Sequence, residues 1–157
     1  MPRNLLVVDD ESSVISSLRR VMRGENYKIL SAASGAEALA ILAEQPVSLI
    51  LCDLGMPGMT GFELLEIVKK RYPTVVRTIL SDQTRVGTLL WAINEGEVYR
   101  FFTKPWDNDE MRDSLRRVVC HADLVAEADR LATWLEERKD ILRQLLDGPD
   151  EETPVAY

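Results

Sequence analysis

The sequence predicts an α/β fold: a doubly wound, five-stranded parallel sheet of order 2-1-3-4-5 with helices on both faces, extended by a long C-terminal helix. Three observations carry this reading. Short apolar runs alternate five times with amphipathic helical stretches across short loops. The runs are apolar nearly throughout, as expected of strands covered on both faces, and right-handed crossovers leave few topologies. After residue 121 no strand-like run appears.

The elements follow in order. Leu5–Val8 is the first strand, and residues 14–22 then place Val14, Ile15, Leu18, Val21 and Met22 on one helical face before Gly24 stops the helix. Tyr27–Leu30 is the second strand. Ser34-Gly35-Ala36-Glu37 has the spacing of a capping box and opens a helix carrying Leu39 and Leu42. Val47–Cys52 is the third strand. Thr60-Gly61-Phe62-Glu63 repeats the box ahead of Leu64, Leu65, Ile67 and Val68. Val75–Leu80, a helix over 84–94 with Leu89, Leu90 and Ile93, and Val98–Phe102 complete the sheet. Asp107–Glu110 opens the last domain helix, with Met111, Leu115 and Val118 facing inward.

Beyond it, Leu124, Ala128, Leu131, Leu135, Leu142 and Leu145 recur at spacings of three, four and seven, interrupted by Arg138. A helix running on through this segment exceeds 25 residues, a length typical of coiled coils and linker helices. The expected organisation is a domain over 1–121, a helical extension with coiled-coil character over 122–147, and a disordered acidic tail over 148–157 beginning at Gly148-Pro149.

Composition narrows the function. The 157 residues are 46% apolar and 29% charged, ordinary for a globular protein. No run approaches the ~20 apolar residues of a membrane span, and the four-residue run near the N-terminus is too short for a signal peptide, so a cytoplasmic location is expected. Cys52 and Cys120 each lie in an apolar run and are expected to be buried and reduced. The net charge of −7 is uneven: residues 1–121 hold 15 basic and 16 acidic side chains, residues 122–157 hold 4 and 10. An acidic C-terminal third argues against nucleic-acid binding.

Chemistry concentrates at the carboxyl ends of the predicted strands, the edge where open α/β sheets bind ligands. There stand Asp9, Asp10 and Glu11, then Asp53, Ser81, and Thr103-Lys104-Pro105. Crowded carboxylates repel unless a hard cation joins them, and an all-oxygen set with open positions favours Mg²⁺. A carboxylate can also attack phosphorus to give an aspartyl phosphate, with Lys104 and the metal neutralising charge.

Val7-Val8-Asp9-Asp10-Glu11, Asp53-Leu54-Gly55-Met56-Pro57-Gly58-Met59-Thr60-Gly61, Leu80-Ser81 and Thr103-Lys104-Pro105 resemble, in order and spacing, the receiver domains of bacterial two-component response regulators, over about residues 4–121. The resemblance implies the flavodoxin-like form of the fold. It implies that Asp53 is the phosphoacceptor, and that Asp9, Asp10, Asp53 and the Gly55 backbone carbonyl hold Mg²⁺. It assigns Ser81 as switch hydroxyl, Lys104 as the phosphoryl contact, Phe101 as the aromatic switch, and a cis bond to Pro105. The donor would be a sensor histidine kinase. The chain would catalyse only its own phosphorylation and dephosphorylation. A homodimer would form through the C-terminal helix or through the face made by helix 84–94, the fifth strand and the helix after it.

Alternatives stand beside these roles. Phe101 serves equally as core, Ser81 as a helix cap, and His121 reads as a solvated residue near a helix end. Trp91, Trp106 and Trp134 read as packing residues, Trp134 also as an interface marker. Asp82 stands where the family carries a small residue, which keeps a phosphorylation-independent docking module in view. A phosphatase resembling the haloacid dehalogenases would need an Asp-x-Asp-x-Thr/Val strand end, which Asp9-Asp10-Glu11 lacks. The stretch Ala92–Trp106 resembles receivers joined to enzymatic output domains, HD-type phosphodiesterases among them.

Overall fold

A computed structural model describes residues 3–82, 87, 94–95 and 98–147. Five strands, β1 (Arg3–Val8), β2 (Tyr27–Ala32), β3 (Leu49–Asp53), β4 (Val76–Asp82) and β5 (Arg100–Lys104), form one parallel sheet in the order β2-β1-β3-β4-β5. The described helices are α1 (Ser12–Val21), α2 (Gly35–Glu44), α3 (Gly61–Arg71) and α4 (Asn108–Asp147). The helix expected over 84–94, with Trp91, falls outside the described residues apart from Gly87 and Asn94, as do Gln83 and the tail over 148–157.

Side chains alternate across each strand, and each side meets its own helix layer. Leu6, Val8, Ile50 and Cys52 pack with Ala38 and Leu42 of α2 and Leu64, Leu65 and Val68 of α3. Leu5, Val7, Leu49 and Leu51 pack with Val14, Leu18 and Val21 of α1 and Met111, Leu115, Val118 and Val119 of α4. Two apolar layers explain why the strands read as unbroken apolar runs rather than alternating ones.

β2 to β5 end later than their apolar runs do, whereas β1 ends with its run at Val8. The ladder continues through the pairs Asp53↔Leu80, Ser81↔Thr103 and Asp82↔Lys104, so the polar strand-end residues are themselves in the sheet. Apolar content marks the core, whereas backbone hydrogen bonding marks the strand, and here the second outlasts the first. β3 and β5 also start later than Val47 and Val98.

The helix caps form as their spacing implies. Ser34 Oγ accepts from the Glu37 N–H at 3.2 Å, while the Glu37 carboxylate takes the Ala33 N–H at 2.5 Å, one residue before the cap. Thr60 Oγ1 accepts from the Glu63 N–H at 3.2 Å, and Asp107 Oδ2 from the Glu110 N–H at 2.9 Å.

α4 is a single helix of 40 residues. Its inner face is buried as far as Ala122, after which its large apolar side chains are exposed. Side chains fasten it where it leaves the sheet: Arg3 Nε lies 2.7 Å from Asp123 Oδ1, and the Tyr99 and His121 rings stack 3.9 Å apart and 2° from parallel. Arg112 donates to the Val21 carbonyl at 2.9 Å, and Arg116 pairs with Glu25. Two expectations are corrected here. His121 is a half-buried ring stacked on Tyr99 inside a continuous helix, not a solvated residue near its end. Cys52 is buried but Cys120 is exposed, because Val118, Val119 and Ala122 occupy the inward arc of that turn. None of the described helices is long and apolar enough to cross a membrane.

Candidate functional site

Parallel pairing brings all the strand ends to one edge of the sheet. Asp9 follows β1 directly and is buried, 1% exposed. Its Oδ1 accepts the Glu11 N–H at 2.9 Å, which fixes the carboxylate as the chain turns toward α1, and its Oδ2 takes Lys104 Nζ at 2.9 Å. Asp53, the last residue of β3, is half-buried with one carboxylate oxygen 3.6 Å from the same ammonium. Asp10 is exposed. One carboxylate oxygen from each of Asp9, Asp10 and Asp53 lies within 4.8 Å of the others. Opposite ligands of an octahedral Mg²⁺ shell stand about 4.2 Å apart, so small rotations bring this all-oxygen set to the spacing a hard divalent cation takes.

The electrostatics follow from this crowding. Burial, with the Asp9 charge beside it, pushes the Asp53 carboxyl above its ordinary value, although Lys104 and the Gly55 N–H pull the other way. For Lys104, burial works against the charge, but the hydrogen bond to Asp9 and the charges of Asp53, Asp9 and Glu11 outweigh it and hold the ammonium protonated to higher pH. Burial pushes the Cys52 thiol far up, so it remains a neutral donor, and its Sγ lies 3.3 Å from the Asp53 carbonyl oxygen.

Ser81 is buried in β4 beside the site, in register with Thr103. Asp82, next along, is exposed and in register with Lys104. Phe101 on β5 is half-buried and packs against the α2–α3 layer. The Lys104–Pro105 peptide is cis, as the resemblance implies. Asp9, Asp10, Asp53 and Lys104 therefore meet. Ser81 and Phe101 lie on the two strands beyond β3.

Two supporting residues were not legible as such. Gly61 lies against the Asp53 backbone so closely that a Cβ there would sit 2.4 Å from the Asp53 carbonyl oxygen. In the sequence it stood inside a capping box and at the end of the Asp53–Gly61 stretch that carries the family resemblance, and neither signal pointed to its contact with Asp53. Thr78, a polar residue in an apolar run, donates a buried hydrogen bond of 2.7 Å to the Ile50 carbonyl.

The sequence profile of the response regulator receiver domain matches residues 5–116. This chain belongs to that family. It is 39% identical over 140 residues to the hydrogenase transcriptional regulatory protein HoxA of Cupriavidus necator, a match covering 89% of this chain and 29% of HoxA. Among solved structures it resembles an adenylate cyclase from Rhodopirellula baltica (TM-score 0.77, 30% identity, 85% of this chain and 98% of that one). It also resembles the signal receiver domain of an HD domain-containing protein from Pseudomonas fluorescens Pf-5 (TM-score 0.74, 30% identity, 80% and 93%). The receiver thus spans less than a third of the HoxA relative.

Proposed function

We propose that this receiver is a cytoplasmic phosphoacceptor that takes a phosphoryl group on Asp53 from a phosphohistidine of a sensor histidine kinase. The observation that carries the reading is the Asp53 carboxylate 3.6 Å from Lys104 Nζ, with Asp9 and Asp10 oxygens within 4.8 Å. An Asp53 oxygen attacks phosphorus in line; the O–P bond forms as the P–N bond to the kinase histidine breaks and the imidazole leaves. Asp9, Asp10, Asp53 and the Gly55 carbonyl would hold Mg²⁺, which when bound neutralises charge on the phosphoryl oxygens. Lys104 contacts one such oxygen, and Ser81 donates a hydrogen bond to another. Phe101 turns inward with Ser81 as the phosphorylated conformation gains population. Lys104 assists only the chemistry of Asp53 itself, so the chain turns over no separate substrate, and it signals through a partner or through a second copy bound by its C-terminal helix or its β5–α4 face.

Incubation with Mg²⁺ and acetyl phosphate, followed by intact-mass measurement, tests this. One added phosphoryl group on wild type and none on Asp53→Ala is expected. No gain from acetyl phosphate or from a phosphorylated kinase would leave the docking-module reading. The feature that favours that reading is Asp82, an exposed carboxylate in register with Lys104.

A further inference from the structure

The sheet brings a further carboxylate, Asp82, to the edge where Asp9, Asp10 and Asp53 converge. β3, β4 and β5 run in register through Asp53↔Leu80 and Asp82↔Lys104. Paired residues, and every second residue along a strand, share one side of a sheet. Leu51, Leu80 and Phe102 pack in the α1–α4 layer, so Asp53, Asp82 and Lys104, each two residues on, leave the sheet on that same side. Strands about 4.8 Å apart with a rise of about 3.3 Å per residue put the Asp82 Cα about 5 Å from that of Lys104 and roughly 8 Å from that of Asp53. Asp82 is exposed, whereas Ser81 beside it is 2% exposed. Among the described residues the set converging for a cation is Asp9, Asp10 and Asp53, and Asp82 stands outside it.

The position matters because an in-line displacement has a far side. The Asp53 oxygen approaches phosphorus to about 3–3.5 Å, so the leaving atom stands roughly 5 Å from that oxygen, opposite to it. A phosphoryl group entering from the open edge carries its leaving group outward, and Asp82 lies about 6.6 Å farther out along the strands than the level of Asp53. Its carboxylate therefore borders the leaving group. That distinguishes donors. The phosphoryl charge is common to all of them, and repulsion of it by Asp82 slows each equally. The leaving groups differ. Acetyl phosphate releases acetate, which gathers negative charge beside Asp82 as the bond breaks. A phosphohistidine protonated on its far ring nitrogen releases neutral imidazole, and a carboxylate beside that N–H favours the protonated form.

We infer that Asp82 is a specificity-determining residue that contacts the leaving imidazole of phosphohistidine and disfavours donors whose leaving group is anionic. The inference rests on the reading of Asp53 as phosphoacceptor and adds the choice of donor. As the Asp53 O–P bond forms and the P–N bond breaks, the electron pair of the broken bond stays on the ring nitrogen. The proton on the far nitrogen remains there, donated in a hydrogen bond to the Asp82 carboxylate, and the ring departs uncharged. With acetyl phosphate the electron pair goes to an acetate oxygen, and two like charges then face each other. Lys104 offers acetate little relief, because its ammonium is engaged by Asp9 at 2.9 Å and by Asp53 at 3.6 Å.

The test follows phosphorylation of the full 157-residue chain in Mg²⁺ by quenched intact mass, with N-phosphoimidazole and acetyl phosphate as donors. The ratio of the two rate constants is the readout, since a change in fold or in metal binding moves both rates together. Asp82→Ala should shrink the ratio of phosphoimidazole to acetyl phosphate rates by about tenfold or more, the scale of one charge–charge contact across several ångströms. Asp82→Asn keeps the size and removes the charge, and should shrink the ratio in the same direction. An unchanged ratio in both variants would overturn the inference, as would both rates rising by one factor, the mark of plain repulsion of the phosphoryl group. A wild-type ratio in Asp82→Asn beside a lowered one in Asp82→Ala would make the effect one of size, and would overturn it too. A wild type that takes no phosphoryl group from either donor would sink the phosphoacceptor reading and the donor choice together. Phosphorylation of wild type with a ratio indifferent to residue 82 would sink the donor choice alone.

Discussion

Gly61→Ala is expected to damage both the fold and the site. A Cβ at Gly61 would lie 2.4 Å from the Asp53 carbonyl oxygen, 2.9 Å from Leu54 Cα and 3.1 Å from the Asp53 carbonyl carbon. All three are backbone atoms, so no side-chain rotamer relieves the contact. Ordinary nonbonded carbon contacts begin near 3.5 Å, so roughly 1 Å of separation must come from moving α3 away from β3 or from moving Asp53. Overpacking a buried position costs about 1–3 kcal/mol, and a backbone contact this short belongs at the upper end. With a urea slope of about 1–3 kcal/mol/M, the unfolding midpoint should fall by about 1–3 M. Because the moving atoms belong to the peptide unit of Asp53, the proposed phosphoacceptor, phosphorylation by acetyl phosphate should slow by about ten- to a hundredfold, the scale on which an ångström of misplacement acts. Gly58 provides the control. It has φ of +77° and open space around its Cβ position, so Gly58→Ala meets backbone strain but no clash. It should lose about 1–2 kcal/mol while keeping its phosphorylation rate. A Gly61→Ala protein with wild-type stability and rate would refute the reasoning, as would a Gly58→Ala protein slowed equally.

Four further outcomes follow from the site and its support. Asp53→Asn should raise the metal-free melting temperature at pH 7.5: the carboxyl's raised folded-state value means that ionisation costs folding, a cost present above that value and absent below the ordinary carboxylate range, so the advantage should vanish as pH falls toward 4. Mg²⁺ at ten times its Kd should add about 1.4 kcal/mol to wild type and less to this variant, read by thermal melts with and without chelator. Lys104→Met removes the ammonium 2.9 Å from buried Asp9 and should cost about 2–3 kcal/mol at pH 7 in urea unfolding. Thr78→Val keeps the shape but leaves the Ile50 carbonyl without its 2.7 Å partner; it should cost about 1 kcal/mol and leave the phosphorylation rate unchanged, so a slowed variant would mean that β3 and β4 shift together.

What the sequence disclosed and what it withheld divide along a physical line. Apolar runs such as Leu49–Cys52 and caps such as Ser34 and Thr60 act within a few residues, so their signals are local and legible. The meeting of Asp9, Asp53 and Lys104 was also legible, because a parallel sheet sends every strand end to one edge. Contacts that depend on how closely two elements approach were not. Gly61 against Asp53 is set by the α3–β3 separation, and Tyr99 on His121 by the angle at which α4 crosses the sheet. Cys120 shows the same limit within one helix: its neighbours Val118 and Val119 make the run look apolar, but only the rotation of α4 decides which of the three faces outward.

Charge at the strand ends indicates where a signal would leave the site. Asp9, Asp10, Asp53 and Lys104 together carry two excess negative charges, and the one ammonium sits nearer Asp9, at 2.9 Å, than Asp53, at 3.6 Å. Under the proposed chemistry the Asp53 carboxylate becomes an acyl phosphate with more negative charge and oxygens that reach farther from β3. The balance of attraction on Lys104 then shifts away from Asp9. Lys104 is the last residue of β5, with Phe101 three residues before it, and only Pro105, Trp106 and Asp107 separate it from α4. A displacement of this ammonium is therefore felt first in β5 and in the short connection to α4. α3, held to Asp53 by the close approach of Gly61, has less room to respond. The same helix that receives the displacement carries the exposed apolar stripe beyond Ala122. The strand that carries Lys104 and the helix that would meet a second copy are thus joined by only three residues.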